Sequence, residues 1–403
     1  MNVNVGRRVM VAILVASGFG IALGGTATFA QPSEEVKTYR MQMFDPPLRM
    51  LANRTLAEMF NTAPVGASPN VLALRQRQRP LDFTYEFNKQ RRNASDIVER
   101  TQTDALLIMK NGEIVYEGYY NQSSEATLFN SYSVAKSFNA IMVGLALREG
   151  KIASLTTPII TYIPELKGSG YEGTTVRDLL EMRSGVDWVD NFMTPGNLAY
   201  DAHVASWVQE NARYTDAAAL TKPAHKPGTH FVYNSMDAAL VGLVVERAVG
   251  MPVSRYLSER LWKPGGMEAD GFYVIDGPAG VGREFTAGGF NARLRDYGRI
   301  GQLMLNEGSL NGKQLIPADY VRTLRQSITV DTGEGLGYGY FWWTQPGTQA
   351  FSAIGGEGQF IYVDPEHKTV VVKLSHGPVG PDAVPVMAET MEFLTAAARW
   401  NPK

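Results

Sequence analysis

The chain has 403 residues, of which 44% are hydrophobic and 19% charged, with a formal net charge of −2. These are the proportions of a globular enzyme, long enough for one large domain or two closely joined ones. A near-neutral charge without a long basic run gives no electrostatic basis for binding nucleic acid. The absence of cysteine excludes disulfides, thiolate catalysis and cysteine metal sites.

The first thirty residues read as an export signal. Arg7 and Arg8 form a basic start, Val9 to Leu23 are apolar or small, and Thr28-Phe29-Ala30 offers small residues for cleavage. The apolar run is shorter than the ~20 residues a spanning helix needs, so no stable membrane span is expected after cleavage. A periplasmic protein beginning near Gln31 is the expectation. Residues 31–100, rich in Pro, Arg, Gln and Asn, are expected to form an extension wrapping the main domain at 101–403.

The run from Leu106 to Tyr120 predicts a hairpin, because two β-prone segments flank Asn111-Gly112, a pair suited to the positive φ of a type I′ turn. A helix follows from Ser133 to a glycine stop at Gly150. It is apolar nearly all round, which predicts burial. Further helices fit Thr174–Ser184, Asp201–Asn211, Met236–Val249, Arg293–Asn306, Pro317–Gln326 and Ala383–Trp400. Strands fit Gln359–Val363 and Thr369–Leu374. Strands at both ends with helices between them predict an α+β fold, an antiparallel sheet flanked by helices. An inserted, mostly helical lobe is expected at about 155–270.

Three boxes carry the chemistry. Ser133-Val-Ala-Lys136 puts a hydroxyl and an amine one helical turn apart on one face, so the lysine can take the serine's proton if its pKa is lowered. A lysine in a buried helix is costly unless paired or neutral. Tyr233-Asn234-Ser235 precedes the Met236 helix, where backbone N–H groups and the helix dipole favour a phenolate. Read alone, Tyr233 fits a half-buried core tyrosine better than a functional one. Gly355-Gly356-Glu357-Gly358-Gln359 opens a strand where glycines let N–H groups approach a ligand, as an oxyanion hole requires. Other chemistries lack their motifs. There is no G-x-S-x-G elbow, no H-E-x-x-H and no complete P-loop or dinucleotide fingerprint, and the five histidines lack metal-ligand spacing. Neither metal nor cofactor is expected.

In order, these boxes resemble those of serine hydrolases related to class C β-lactamases and penicillin-binding DD-peptidases. Ser133–Lys136 is the S-x-x-K box and Tyr233–Ser235 the tyrosine box. Thr175–Gly185, Lys226–Ser235, Leu261–Met267, Arg295–Gly301 and Gly337–Trp343 match further stretches, covering about residues 100–400. The N-terminal extension and the G-x-x-G-Q box look most like the 6-aminohexanoate-dimer hydrolase group. The resemblance implies a β-lactamase/DD-peptidase-like fold and Ser133, Lys136 and Tyr233 as catalytic residues. It also implies an oxyanion hole from the N–H groups of Ser133 and Gly356. Asn234, Ser235, Trp188, Trp343, Glu357 and His376 are the candidate substrate contacts. One departure stands out. The region of the relatives' Lys-Thr-Gly or His-Thr-Gly box here reads Phe351-Ser-Ala-Ile-Gly-Gly-Glu-Gly-Gln359, with no cation and an acidic Glu357 expected to repel a substrate carboxylate. His376-Gly377 lies one strand later.

The implied reaction is acyl transfer through an acyl-enzyme on Ser133, acting on a small ester or amide. Neutral Lys136 is the base, or Lys136⁺ stabilises a Tyr233 phenolate that is; the residues leave both open. The alternatives are a β-lactamase or DD-peptidase, and a non-catalytic binder of cell-wall peptide. The sequence fixes neither the natural substrate nor the oligomeric state.

Overall fold

The computed structural model describes residues 31–402 apart from 279, 330, 331 and 334. The expected export segment lies outside the described residues. The centre is an eight-stranded sheet made of β1 (Arg75–Gln76), β2 (Thr103–Lys110), β3 (Glu113–Tyr119), β4 (Gly337–Tyr338), β5 (Trp343–Thr344), β6 (Phe351–Gly355), β7 (Gln359–Asp364) and β8 (Thr369–Ser375). Its order is β4-β5-β6-β7-β8-β2-β3-β1, antiparallel except for the short β1, which runs parallel to β3 at the edge. The β2–β3 hairpin turns as its sequence demands, with Asn111 and Gly112 at φ of 51° and 81°.

Strands β2, β7 and β8 are apolar on both faces because both faces are covered. Leu107, Met109, Ile361, Val363, Val370 and Val372 point into one core. Leu106, Ile108, Phe360, Tyr362 and Val371 point into the other. Helices α1 (Glu34–Gln42) and α2 (Pro46–Ala52) belong to the N-terminal extension, and α3 (Val134–Arg148), α4 (Ser235–Val249), α5 (Leu294–Leu305) and α6 (Ala383–Arg399) pack into these cores. Helix α5 packs on β2, β7 and β8 while α6 packs on β8 from the opposite side. Helices α3 and α4 pack against each other, and the start of α3 meets β6.

The lobe at 155–270 is less helical than the sequence suggests. Within it, α4 reaches 15 residues while the segment read as a helix at Thr174–Ser184 is helical only over Val176–Leu180. A capping box between Thr175 and Asp178 starts that turn, and Met182 at φ 55° ends it. The helix read at Asp201–Asn211 is instead Leu198–His203 running into a π-turn at Val204–Val208. There Ser206 Oγ bonds back to the Ala202 carbonyl at 2.7 Å, a contact that competes with regular helical bonding.

Residues 31–100 contact several parts of the main body. Thr62–Val65 adds an antiparallel strand to Gly271–Asp276 in a second sheet. Arg40 of α1 pairs with Glu210 at 2.7 Å, both side chains buried. Among the described residues no helix is long and apolar enough to cross a membrane.

Candidate active site

Ser133 directly precedes helix α3, and its backbone (φ −65°, ψ −7°) is already helical. One turn later, Lys136 is 2% exposed and its Nζ donates to Ser133 Oγ and to the Ala287 carbonyl, both at 2.8 Å. Burial pushes the Lys136 amine down to about 8, against an opposing pull from Asp190. A neutral amine here has one N–H for the Ala287 carbonyl and a lone pair facing the serine hydroxyl. The neighbouring serines are differently engaged. Ser131 is fully buried, and Ser137 donates to the Phe341 carbonyl at 2.6 Å.

The end of β6 lies directly against this helix start. A Cβ on Gly355 would come within 2.4 Å of the Ser131 carbonyl and 3.1 Å of the Ser133 nitrogen, so only glycine fits. Gly356 follows, and a 3₁₀ turn at Gly356–Gly358 leads into β7. Among the described residues, neither the Ser133 nor the Gly356 N–H donates to another group. The expected oxyanion donors thus flank one corner.

Tyr233 arrives from the other side on the turn before α4. The Lys136 Nζ is 5.2 Å from its ring centroid. Trp343 stacks on Tyr233 at 5.7 Å and 23°, and Tyr338 meets both rings edge-on. Ser133, Lys136, Tyr233, Gly356 and Trp343 are therefore brought together by α3, α4, β5 and β6.

Other expected contacts have different roles. Asn234 is 2% exposed and caps α4, its Oδ1 accepting from the Met236 and Asp237 N–H groups at 2.8 and 3.1 Å. Ser235 donates from Oγ to Asp190 at 2.6 Å. Trp188 does not wall a pocket. It is 1% exposed, edge-on to Tyr214, with its indole N–H on Asp190 at 2.7 Å. His376 bonds Asp104 at 2.9 Å, which also pairs with Arg54 at 2.6 Å.

Glu357 requires the largest correction. Rather than presenting a charge to substrate, it is 3% exposed and points behind the corner. Its Oε2 accepts from Asn53 Nδ2 at 2.6 Å, and Tyr132 OH lies 2.8 Å from its Oε1. The cations near it are engaged as well. Arg49 donates to the Gly377 carbonyl at 2.8 Å, and Lys373 Nζ to Ser375 Oγ at 2.5 Å.

Asp190 was not legible in the sequence. It accepts from Ser235 and Trp188 and biases Lys136 electrostatically, yet it lies 45 residues from Ser235 within no motif. Asn53 was equally hidden, in an extension whose composition carries no chemistry.

Residues 91–394 match the β-lactamase family. The 6-aminohexanoate-dimer hydrolase of Paenarthrobacter ureafaciens is 30% identical over 70% of this chain and 74% of its own length. A provisionally named 6-aminohexanoate-dimer hydrolase from Bacillus anthracis superposes with a TM-score of 0.81 at 25% identity, covering 92% of this chain and 98% of that one. A class C β-lactamase shares the fold at a TM-score of 0.53 and 19% identity, over 77% of this chain and 98% of its own. With the Ser133–Lys136 pair at the head of α3 and a matching fold throughout the main domain, the chain belongs to the β-lactamase family of serine hydrolases.

Proposed function

We propose that this protein is a serine hydrolase that cleaves a small ester or amide through an acyl-enzyme on Ser133, in the manner of a 6-aminohexanoate-dimer hydrolase or esterase. The observation that carries the reading is the 2.8 Å contact between Lys136 Nζ and a partly exposed Ser133 Oγ, with the amine pushed down to about 8. As Ser133 Oγ attacks the substrate carbonyl, its proton passes to Lys136, directly or through Tyr233. The N–H groups of Ser133 and Gly356 receive the tetrahedral oxyanion; loss of one such donor typically costs ~10²–10³ in rate. The proton returns to the leaving alcohol or amine. Water then repeats the attack on the acyl-serine, releasing the acid and restoring Ser133.

Substrate class follows from charge. A β-lactam carries a carboxylate, and a charge-assisted hydrogen bond to it is worth ~1.5–3 kcal/mol. The β6 strand supplies no lysine or histidine for it, and the nearby Arg49, Lys373 and His376 are bonded to Gly377, Ser375 and Asp104. Neutral esters and amides need no such partner. The expected result is a kcat/KM for p-nitrophenyl butyrate well above that for nitrocefin. Efficient turnover of nitrocefin or benzylpenicillin would overturn this assignment in favour of a β-lactamase.

The same reading places the mature protein outside the inner membrane, on the strength of the basic, apolar and small-residue order of residues 1–30. Periplasmic protein beginning near Gln31 is expected in a Gram-negative host. Mature cytoplasmic protein retaining residues 1–30 would refute it.

A further inference from the structure

Three polar side chains from distant parts of the chain meet behind the nucleophile corner. Tyr132 OH lies 2.6 Å from Asn53 Oδ1 and 2.8 Å from Glu357 Oε1, while Asn53 Nδ2 is 2.6 Å from Glu357 Oε2. Each O···O contact at this distance needs a proton between its oxygens. A tyrosine hydroxyl carries one proton, an amide oxygen none and a carboxylate none. Two O···O contacts therefore require a second proton, and the carboxyl of Glu357 is the group able to hold it. Exchanging the oxygen and nitrogen of Asn53 leaves the count unchanged, because an O···O contact to Glu357 then replaces the one to Tyr132.

We propose that Asn53, Tyr132 and Glu357 form a closed hydrogen-bonded ring in which Glu357 is a neutral acid, and that this ring positions the oxyanion donors. Glu357 donates to Tyr132, Tyr132 to Asn53 Oδ1, and Asn53 Nδ2 back to Glu357. Charged and titratable neighbours face it from several elements. Burial holds the Glu357 acid above the usual carboxylate range, while the hydrogen bonds with Asn53 and Tyr132 and then the charges of Arg49 on α2 and His376 after β8 pull the other way without overcoming it. The Lys373 amine on β8, pushed down to about 7 by burial, lies behind Gly358 and is turned to Ser375. Glu357 is 3% exposed, so water cannot readily solvate a carboxylate there.

The link to catalysis is positional and rests on the hydrolase reading above. Tyr132 directly precedes Ser133, and Glu357 directly follows Gly356. Both are non-glycine residues in the left-handed region, at φ 45° and 60°. Such conformations cost about 1–3 kcal/mol each and persist where the surroundings enforce them. The ring ties both side chains to Asn53 of the N-terminal extension, whose carbonyl also accepts the Asn130 N–H at 3.1 Å. Arg49 fastens the same extension to Gly377, whose own N–H bonds the Glu357 carbonyl at 2.9 Å. The extension thereby clamps the two segments that present the Ser133 and Gly356 N–H groups. Asn53, Tyr132 and Glu357 are positioning residues.

The test exploits the isostery of glutamine with a neutral carboxylic acid. Glu357→Gln preserves all three hydrogen bonds, its Nε2 donating to Tyr132 and its Oε1 accepting from Asn53. Turnover is measured per serine titrated with a fluorophosphonate, which removes misfolded protein from the count. Glu357→Gln is expected to retain kcat within about twofold. Tyr132→Phe, Asn53→Ala and Glu357→Ala should lower kcat about tenfold, a fraction of the full loss of a donor, with KM little changed. A boronic acid that mimics the tetrahedral intermediate should lose affinity by the same factor. Infrared difference spectra of wild type minus Glu357→Gln at neutral pH should show the C=O stretch of a protonated carboxyl. A carboxylate band instead, or a Glu357→Gln loss as large as that of Glu357→Ala, would overturn the neutral ring. Unchanged kcat per labelled serine in Tyr132→Phe and Asn53→Ala would overturn the positioning role. A wild-type protein that neither labels nor turns over esters would overturn the hydrolase reading itself, and the infrared result would still decide the ring.

Discussion

Lys136 and Lys373 are both buried lysines that donate to a serine hydroxyl, at 2.8 Å to Ser133 and 2.5 Å to Ser375. Burial pushes both amines down, to about 8 and about 7 respectively. By distance and basicity alone, the Lys373 pair is the better activated. Their surroundings reverse that ranking. Ser375 lies within β8, is 2% exposed, and its N–H is bonded to Gln359 Oε1 at 3.2 Å. No carbonyl can reach it without opening the sheet. Ser133 stands at a helix start, partly open to solvent, beside two N–H groups with no acceptor among the described residues. A lowered lysine pKa is thus a general result of burial. On the proposed reading, access and a pair of open N–H groups separate the nucleophile from a buried hydroxyl.

The sharpest way to break this comparison is to remove each serine. Ser133→Ala should lower ester turnover by at least ~10⁴-fold, as expected for a nucleophile acting within a catalytic unit. Ser375→Ala should leave turnover nearly unchanged. A fluorophosphonate adduct located by peptide mass spectrometry should lie on Ser133 alone. An adduct on Ser375 would invert the comparison.

The proton-transfer partners come next. Lys136→Ala and Tyr233→Phe should each lower kcat by at least ~10²-fold, the usual scale of general acid–base catalysis. The double variant should lose much less than the product of the two. Near-normal turnover by Tyr233→Phe would leave the tyrosine as a platform for Trp343 only.

The pH profile distinguishes the lysines further. If neutral Lys136 is the base, kcat/KM should rise with pH through an apparent pKa near 8, the value to which burial brings this amine. Lys373→Met should leave that limb in place. Loss of the limb in the Lys373 variant would mean that the wrong lysine had been assigned.

The smallest expected effect is on stability. The folded-state pKa of Lys373 is depressed from 10.5 to about 7, so between those values the unfolded chain binds the extra proton. The stability contributed by this group therefore rises with pH across that window, and its cost is fully present below about pH 7. Lys373→Met removes a costly buried ammonium and should stabilise the protein by on the order of 1 kcal/mol near pH 7. The gain should shrink towards pH 10, as measured by denaturant unfolding at both values. A gain independent of pH would show that packing, not charge, is responsible.

Much of the candidate corner around Ser133 was legible because local spacing determines it. S-x-x-K places two side chains on one helical face, Asn111-Gly112 specifies a hairpin turn, and paired glycines mark the close approach of β6 to Ser133. Helix ends in the lobe were harder to read, because buried Ser206 and Met182 alter the local backbone in ways periodicity cannot register. The order of boxes along the chain was enough to indicate the family and its fold, since those properties depend on patterns spread over residues 91–394.

Tertiary structure alone decided the direction in which side chains outside those patterns point. Glu357 reads as a charge in the pocket, yet the left-handed turn after Gly356 directs it backward onto Tyr132 and Asn53. Trp188 reads as a pocket wall, yet it is enclosed by Tyr214 and Asp190. Asp190 and Asn53 reach the site from 57 residues after and 80 residues before Ser133. Such placements depend on loop paths and on contacts between segments distant in sequence, and no local period encodes them.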